Sequence, residues 1–278
     1  MYKGCGEDQM LNQSLSTDAG VVQDKSGLTL SLCKAFDILN CFTPETPTLR
    51  ITDITKRVGM TQSNVSRLVN TMVVYGFIEK NDESGYYQLG KRIITLSSVA
   101  LNHSEIRCQA LPELYRLEQE FKVGANLAVL ANDEMYYLAH VDSRTSPRMY
   151  TMVGHTSPLH CTAIGKILLA SMQEAEIARI LKEKGMRSYT PQTITSYEAM
   201  MEQIERIRKK GYSVEYGERS FGSSCIAAGI RGRSGKIIAG ISVSGKFCDL
   251  NMSDHEEEVA HIVMESAAII SNKLGHLV

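Results

Sequence analysis

Hydrogen-bonding side chains are concentrated between residues 61 and 75 of this chain. Drawn as a helix at about 100° per residue, the segment has an apolar side and a polar side. The apolar side consists of Val65, Leu68, Val69, Met72 and Tyr75. The polar side and its N-cap consist of Thr61, Gln62, Ser63, Asn64, Ser66, Arg67 and Asn70. Arginine pairs with guanine, asparagine and glutamine pair with adenine, and serine binds phosphate or base edges, so this face indicates a helix that reads DNA.

A polar, uncharged helix face can also be simply exposed to solvent or covered by a partner subunit. The neighbouring elements favour DNA. Thr52 is a suitable N-cap for a preceding helix that Gly59 ends, and Gly76 ends the third helix. Strands at 77–80 and 86–89, joined by a turn over 81–85, would then form a wing. Three helices followed by a β-hairpin predict a winged helix-turn-helix.

The charge of this region is modest. Residues 28–92 contain eight Lys and Arg and six Asp and Glu, a net charge of +2. Phosphate neutralisation supplies much of the affinity of a DNA-binding protein, so one copy would bind weakly at cellular salt. We therefore expect a dimer that reads the two half-sites of a pseudo-palindromic operator in double-stranded DNA.

The composition excludes other classes. The chain of 278 residues has 30 Lys and Arg against 31 Asp and Glu, so it is not basic over its whole surface. No apolar run approaches the ~18 residues of a membrane span and no secretory signal is present, so we expect a cytoplasmic protein without a membrane partner. The seven cysteines lack a C-x-x-C pair, which is typical of a reducing compartment. We predict no cofactor and no metal; a site at His155, His160 and Cys161 is the alternative considered.

The pattern along the chain predicts an α+β protein. We expect a flexible leader over 1–25, the winged helix-turn-helix over 26–90, and a helical linker over 91–122 that is broken at Pro112. Residues 123–278 would form a domain with an antiparallel sheet flanked by helices. Its expected strands are 126–131, 134–141, 148–153, 212–216, 225–230 and 236–244. Its expected helices lie near 160–171, 174–184, 196–210 and 253–274.

Motifs in both halves of the chain resemble one family, the IclR-type bacterial transcriptional regulators. The first is the helix-turn-helix sequence LRITDITKRVGMTQSNVSRL over 49–68. The others are GxxxPLHxTAxGKxxLA over 154–170, YTPxTI over 189–194, RxxGY over 208–212, ExxxGxxCIAA over 218–228 and ISVSG over 241–245. The resemblance runs in order from about residue 28 to residue 275.

The resemblance implies a ligand-responsive regulator, here expected to be a repressor, with a GAF-like effector domain that binds a small carboxylate metabolite. It also implies a homodimer or a homotetramer. In the family, the anion lies against backbone amides at positions matching Ala163 and Ile164. The matching side-chain contacts are Cys225, Ser242 and Ser244. These roles agree with simple physics, because a helix N-terminus attracts anions and two serines at i and i+2 share one face of a strand.

The segment 148–154 is similar to the branch that responds to sugar-derived keto-deoxy acids, and Met149 within it joins the expected effector contacts. The chain departs from the family pattern at Gly229, where proline is common, and at Tyr216 and Gly217, which replace acidic residues. These departures lie near the expected pocket and bear on the identity of the ligand.

Other interpretations of the same residues are possible. Cys225 with His160 meets the loosest form of a Cys–His pair, so the alternative is a Cys-dependent small-molecule hydrolase whose winged helix serves for targeting. A winged helix used only for protein contacts is a third possibility. We predict no catalytic residue and no enzyme. Glu218, near an anion pocket, could bond a ligand hydroxyl, and we favour a role in holding the backbone.

Overall fold

The computed structural model describes residues 27–143, 151–250 and 252–276. The chain divides into two compact units, residues 1–99 and 100–278, which are described separately. The leader expected over 1–25 lies outside the described residues. None of the described helices is both long and apolar enough to cross a membrane.

The first unit consists of short helices and a small antiparallel sheet in which the strand order is β1-β3-β2. Its elements are α1 (Leu30–Leu39), β1 (Thr48–Leu49), α2 (Ile51–Val58), α3 (Gln62–Val74), β2 (Ile78–Lys80) and β3 (Tyr87–Leu89). Their apolar faces meet in one core, which contains Ile38, Cys41, Leu49, Ile54, Val65, Val69, Met72, Ile78 and Tyr87. The expected helix-turn-helix and hairpin are both present.

The helix ends follow local signals with one exception. Gly59 adopts φ 65° after α2, and Gly76 adopts φ 73° after α3, as expected for residues that end a helix in the left-handed region. The expectation that Thr52 caps α2 is wrong. The N-cap is Arg50, whose N–H donates to Asp53 Oδ2 at 3.0 Å. The Asp53 carboxylate reaches back to the chain, so the helix begins before Thr52.

Helices α4 (Lys91–His103) and α5 (Glu105–Phe121) form the expected linker, but the break is at Ser104 and not at Pro112. Ser104 has extended dihedral angles (φ −74°, ψ 100°) and serves as the N-cap of α5. Pro112 lies inside α5. A proline there removes one hydrogen bond, and the burial of Leu114 and Leu117 in the core of the second unit compensates for that loss.

The second unit contains one antiparallel sheet with helices on both faces. Its strands are β4 (Gly124–Ala131), β5 (Glu134–Val141), β6 (Thr156–Ser157), β7 (Tyr212–Tyr216), β8 (Ser223–Arg231) and β9 (Ile237–Lys246). Its further helices are α6 (Ala163–Ala170), α7 (Glu174–Lys184), α8 (Tyr197–Lys210), α9 (Phe247–Leu250) and α10 (Met252–Lys273). The strand order is β6-β5-β4-β9-β8-β7. The expected α+β class, with an antiparallel sheet flanked by helices, is confirmed.

Each face of this sheet has its own core. Helices α5 and α10 pack on one face with residues such as Ile226 and Val243, and α6, α7 and α8 pack on the other. The strand expected over 148–153 is wrong where it can be compared, because residues 151–153 are not in a strand. The strand that pairs with β5 on this side is the short strand β6, in which Thr156 is opposite Tyr136.

Two valines on α3 test the core of the first unit. Val65 is fully buried and Val74 is 83% exposed. We expect Val65→Ala to lower the free energy of unfolding by about 2 kcal/mol, because two buried methyl groups are lost. Val74→Ala should change it by less than about 0.5 kcal/mol. Urea unfolding measures both, and equal effects would show that α3 does not pack as described.

Candidate functional site

The polar residues of α3 form one exposed face. Thr61, Gln62, Ser63, Asn64, Arg67 and Asn70 are exposed, and Ser66 is half-buried. The opposite side, with Val65, Val69 and Met72, is buried. Thr61 occupies the N-cap position, but its side chain makes no capping bond and lies 3.3 Å from Ser63 Oγ. The face therefore presents hydrogen-bonding groups and one guanidinium to whatever binds there.

Thr71 and Val74 also border this face, and the sequence analysis did not include them. Together with Ser63, Ser66, Arg67 and Asn70 they line an open hollow along the helix. Thr71 Oγ1 donates to the Arg67 carbonyl at 3.0 Å. Their spacing of four and seven residues from Arg67 could have identified them, because such residues share a helix face.

The turn between β2 and β3 is stabilised by its own residues. Asn81 Oδ1 accepts from the N–H groups of Glu83 and Ser84 at 3.1 and 2.9 Å, the local bonding that favours asparagine in turns. Gly85 adopts φ 71° before β3 begins. Where the turn closes, the Arg50 guanidinium lies 4.7 Å from the centre of the Tyr86 ring. The result is a defined wing that follows the polar helix.

A second group of polar residues lies in the other unit, on the face of its sheet that α6 covers. We call it the polar row. It consists of His140 on β5, Asn126 on β4, Ser242 and Ser244 on β9, Cys225 on β8 and Glu215 on β7. Cross-strand pairing brings them together, because Asn126 is opposite both His140 and Ser242, and Cys225 is opposite both Ser244 and Glu215. Three expected effector residues, Cys225, Ser242 and Ser244, thus share one face.

Hydrogen bonds connect the members of the polar row. Asn126 Nδ2 donates to Ser242 Oγ at 3.3 Å and to Ser244 Oγ at 3.0 Å. His140 Nδ1 lies 2.8 Å from Asn126 Oδ1, and His140 Nε2 lies 2.8 Å from Asp142 Oδ1. The sequence analysis missed Asn126 and His140. The sequence did contain a signal for them. Asn126 in β4 and His140 in β5 are polar residues at inward-facing positions of largely apolar strands.

Cys225 lies in the middle of the row as a neutral thiol. Burial raises its pKa well above the ordinary value, and the nearby Glu215 carboxylate raises it further. Burial also raises the pKa of Glu215, which accepts from the Arg219 N–H at 3.0 Å. His160, the expected partner of a reactive cysteine, lies with Nε2 3.0 Å from the Arg187 carbonyl. A nucleophilic cysteine needs a lowered pKa, so this environment is the opposite of an activated one.

The first turn of α6 covers the polar row. Ser213 Oγ donates to the Ala163 carbonyl at 2.6 Å. A Cβ on Gly240 would lie 2.6 Å from Ile164 Cγ2, so the helix contacts β9 two residues before Ser242. Thr162 bonds the N–H groups of Gly165 and Lys166 through its hydroxyl and carbonyl. No acceptor in the described part of the chain takes a hydrogen bond from the N–H groups of Ala163 and Ile164.

A buried ion pair anchors α6 to the loop after β7. Lys166 is fully buried, and its Nζ bonds Glu218 Oε1. The Glu218 carbonyl accepts from Thr193 Oγ1 at 2.6 Å, which is consistent with the favoured backbone-holding role. Glu218 Oε2 is buried without a hydrogen-bond partner in the described part of the chain.

Aromatic residues border the same region. Burial raises the pKa of Tyr137 to about 12, and the nearby Cys225 adds to the effect. The Arg219 guanidinium lies 4.3 Å from the centre of the Tyr189 ring. Met149, the remaining expected effector residue, lies outside the described residues. Among the residues that are described, no three His, Cys, Asp or Glu are grouped so as to hold a metal ion.

Comparison with known proteins accounts for both units. The IclR helix-turn-helix domain family matches residues 31–82, and the family of the bacterial transcriptional regulator IclR C-terminal domain matches residues 98–272. The chain belongs to the IclR family of transcriptional regulators. It is therefore a DNA-binding transcriptional regulator and not an enzyme, and the hydrolase alternative is wrong.

Individual relatives agree with this assignment. The HTH-type transcriptional regulator KdgR of Escherichia coli is 32% identical over 247 residues, which are 88% of this chain and 93% of KdgR. The HTH-type transcriptional repressor AllR of Salmonella typhi is 27% identical over 225 residues, 81% of this chain and 82% of AllR. An IclR homologue from Microbacterium hydrocarbonoxydans, crystallised with 4-hydroxybenzoate, superposes with a TM-score of 0.78 at 26% identity, covering 88% of this chain and 98% of that one.

The buried pair Lys166–Glu218 predicts an asymmetric response to substitution. Lys166→Met leaves the Glu218 carboxylate buried without its cation, and we expect it to lower the free energy of unfolding by about 3–5 kcal/mol. The double variant Lys166→Met/Glu218→Leu removes both charges and should recover most of that loss. Urea unfolding measures the two variants.

A control for this comparison is the exposed pair Arg206–Glu202, whose side chains are 69% and 73% exposed. Arg206→Met should change the stability by less than about 1 kcal/mol, because exposed pairs contribute little. Equal destabilisation by the single and the double variant at Lys166 and Glu218 would contradict the ion pair described.

Proposed function

We propose that this IclR-family regulator binds a pseudo-palindromic operator as a homodimer or homotetramer, and that a small carboxylate effector changes its affinity for that operator. The observation that supports the effector most directly is the juxtaposition of the α6 first turn with the polar row. Free N–H groups at the start of a helix and two serine hydroxyls favour a negatively charged ligand group.

The DNA part of the proposal rests on the exposed face of α3. Gln62, Asn64 and Asn70 carry amide groups suited to adenine, and Arg67 is suited to guanine. The wing supported by Asn81 would contact the backbone or the minor groove. We propose the seven residues from Thr61 to Asn70 named above as the DNA-contacting set.

Self-association is supported by apolar residues that the first unit leaves exposed. Leu32 and Phe36 on α1 are 53% and 55% exposed, and Ile94 and Val99 on α4 are 69% and 66% exposed. Exposed apolar residues in such number are typical of surfaces that bind a partner. A second copy would bury them and would add the second DNA-reading helix that the low charge of this unit requires.

For the effector we propose a sugar-derived keto acid. Its carboxylate would bind the N–H groups of Ala163 and Ile164 and the hydroxyls of Ser242 and Ser244, beside Cys225. Tyr137 and Arg219 would bind hydroxyl or carbonyl groups further along such a molecule. Met149 remains a proposed contact. A repressor would be released from its operator when this acid binds.

The operator itself is identified by selecting genomic DNA fragments with the purified protein at near-physiological salt. With the selected operator, Arg67→Ala should weaken binding by about 1–3 kcal/mol, because a bidentate contact to guanine is lost. Arg206→Ala, which removes an exposed arginine on α8, is the charge-matched control and should leave the affinity unchanged. Fluorescence anisotropy on operator and on random DNA measures both variants. An equal loss on both DNAs would show that Arg67 contacts phosphate and not a base.

The effector site is tested with 2-keto-3-deoxygluconate as the probe. Ser242→Ala and Ser244→Ala should each weaken its binding by about 1.5–3 kcal/mol, the usual contribution of a hydrogen bond to a charged group. Ser266→Ala is the matched control, since Ser266 is also buried but bonds Arg116 on the other face of the sheet. Calorimetry measures the affinities. Unchanged binding in both serine variants would exclude the polar row as the carboxylate site.

Coupling between the two activities is measured by titrating the same acid into the protein–operator complex. A ligand shifts DNA binding only if its affinity differs between the free and the DNA-bound protein. If saturating acid leaves the dissociation constant for the operator unchanged, this acid is not the effector.

A further inference from the structure

Asn126 lies between His140 and the two serines of the polar row and uses both ends of its amide. It is only 3% exposed. Its Nδ2 group donates to both serine hydroxyl oxygens, and its Oδ1 faces His140 Nδ1. An amide in this orientation gives the row a direction, because Asn126 is a donor on the serine side and an acceptor on the histidine side.

The orientation of Asn126 determines what the serines can offer. A serine hydroxyl has one O–H donor and two acceptor lone pairs. Since Ser242 and Ser244 accept from Asn126, their O–H groups are left to donate elsewhere.

His140 holds the amide in this orientation. Its Nδ1 donates to Asn126 Oδ1, and its Nε2 lies 2.8 Å from the Asp142 carboxylate. Both ring nitrogens therefore face acceptor oxygens. The ring is also closely packed, because a Cβ on Gly124 would lie 3.3 Å from His140 Cε1. Rotation of the amide by 180° would bring its Nδ2 group against the donating Nδ1 of the ring.

We infer that Asn126 and His140 are positioning residues that direct the O–H groups of Ser242 and Ser244 toward the ligand, and that this direction makes the pocket select an anion over a neutral ligand of the same shape. The inference rests on the proposed function, which places the effector carboxylate on these serines. Asn126 and His140 need not touch the effector. Their role would be to make the pocket bind a carboxylate more tightly than the corresponding carboxamide.

The orientation of the Asn126 amide is measured first, without any ligand. The full-length protein is labelled with 15N-histidine, and a long-range proton–nitrogen correlation spectrum is recorded near pH 7. His140→Gln assigns the His140 signals by their loss. The Nδ1 of His140 should give the signal of a protonated nitrogen, because it faces the Asn126 amide oxygen, which can only accept. A signal of an unprotonated nitrogen at Nδ1 would mean that the amide of Asn126 is reversed, and it would overturn the inference.

Ligand selectivity is measured next by calorimetry with 2-keto-3-deoxygluconate and its carboxamide. The wild type should prefer the acid by about tenfold or more, as expected for hydrogen bonds to a charged group. Asn126→Asp keeps the shape but replaces the donor with an acceptor, so the serine O–H groups turn toward residue 126. Acid binding should fall by about tenfold or more while amide binding changes little.

Two comparisons separate positioning from a general loss of structure. In a Ser242→Ala/Ser244→Ala background, Asn126→Asp should have a much smaller effect on selectivity, because it acts through those hydroxyls. An equal loss of acid and amide binding in Asn126→Asp would overturn the inference. If Asn126→Asp does not fold, Asn126→Ser, which removes the amide without adding a charge, replaces it with the same expected loss of preference. If the wild type binds neither probe, the proposed effector class is wrong. The histidine spectrum still determines the orientation of the Asn126 amide in that case.

Discussion

The pairing register of five adjacent strands is the constraint on which the effector-domain site depends. The members of the polar row come from five strands, and only cross-strand pairing brings Asn126, Ser244 and Cys225 together. Side chains alternate between the two faces of a strand, so a slip of one residue would move a member of the row into the apolar core of the other face. The two cores therefore protect the geometry of the polar residues.

Burial imposes the second constraint. A polar group away from water needs a partner, or its desolvation destabilises the fold. This requirement explains why Lys166 pairs with Glu218 and why the polar residues form a continuous network. It also explains the chemical state of Cys225, whose neutral thiol suits a wall of a binding pocket. The same cysteine would need a very different environment to act as a nucleophile.

The exposed face of α3 obeys a different requirement. In the proposed function, base edges and phosphates of DNA satisfy its polar groups. The core beneath, formed around Val65 and Val69, holds this face in place. The regulator thus combines an exposed set of hydrogen-bonding groups in one unit with a buried set in the other, and each set is positioned by an apolar core.

The sequence by itself determined the features that depend on neighbouring residues. Helical periodicity and the glycines at 59 and 76 predicted α3 and its limits, because capping and left-handed conformations are local. Local signals predicted the wrong N-cap at Thr52 and the wrong helix break at Pro112. The hydrogen bond from the Arg50 N–H to the Asp53 carboxylate sets the start of α2, and the packing of α5 keeps Pro112 within a helix. Only the tertiary structure brought Asn126 and His140 together with the two serines, since Asn126 and Ser244 are 118 residues apart in sequence. Such contacts depend on strand order and register, which no local pattern specifies.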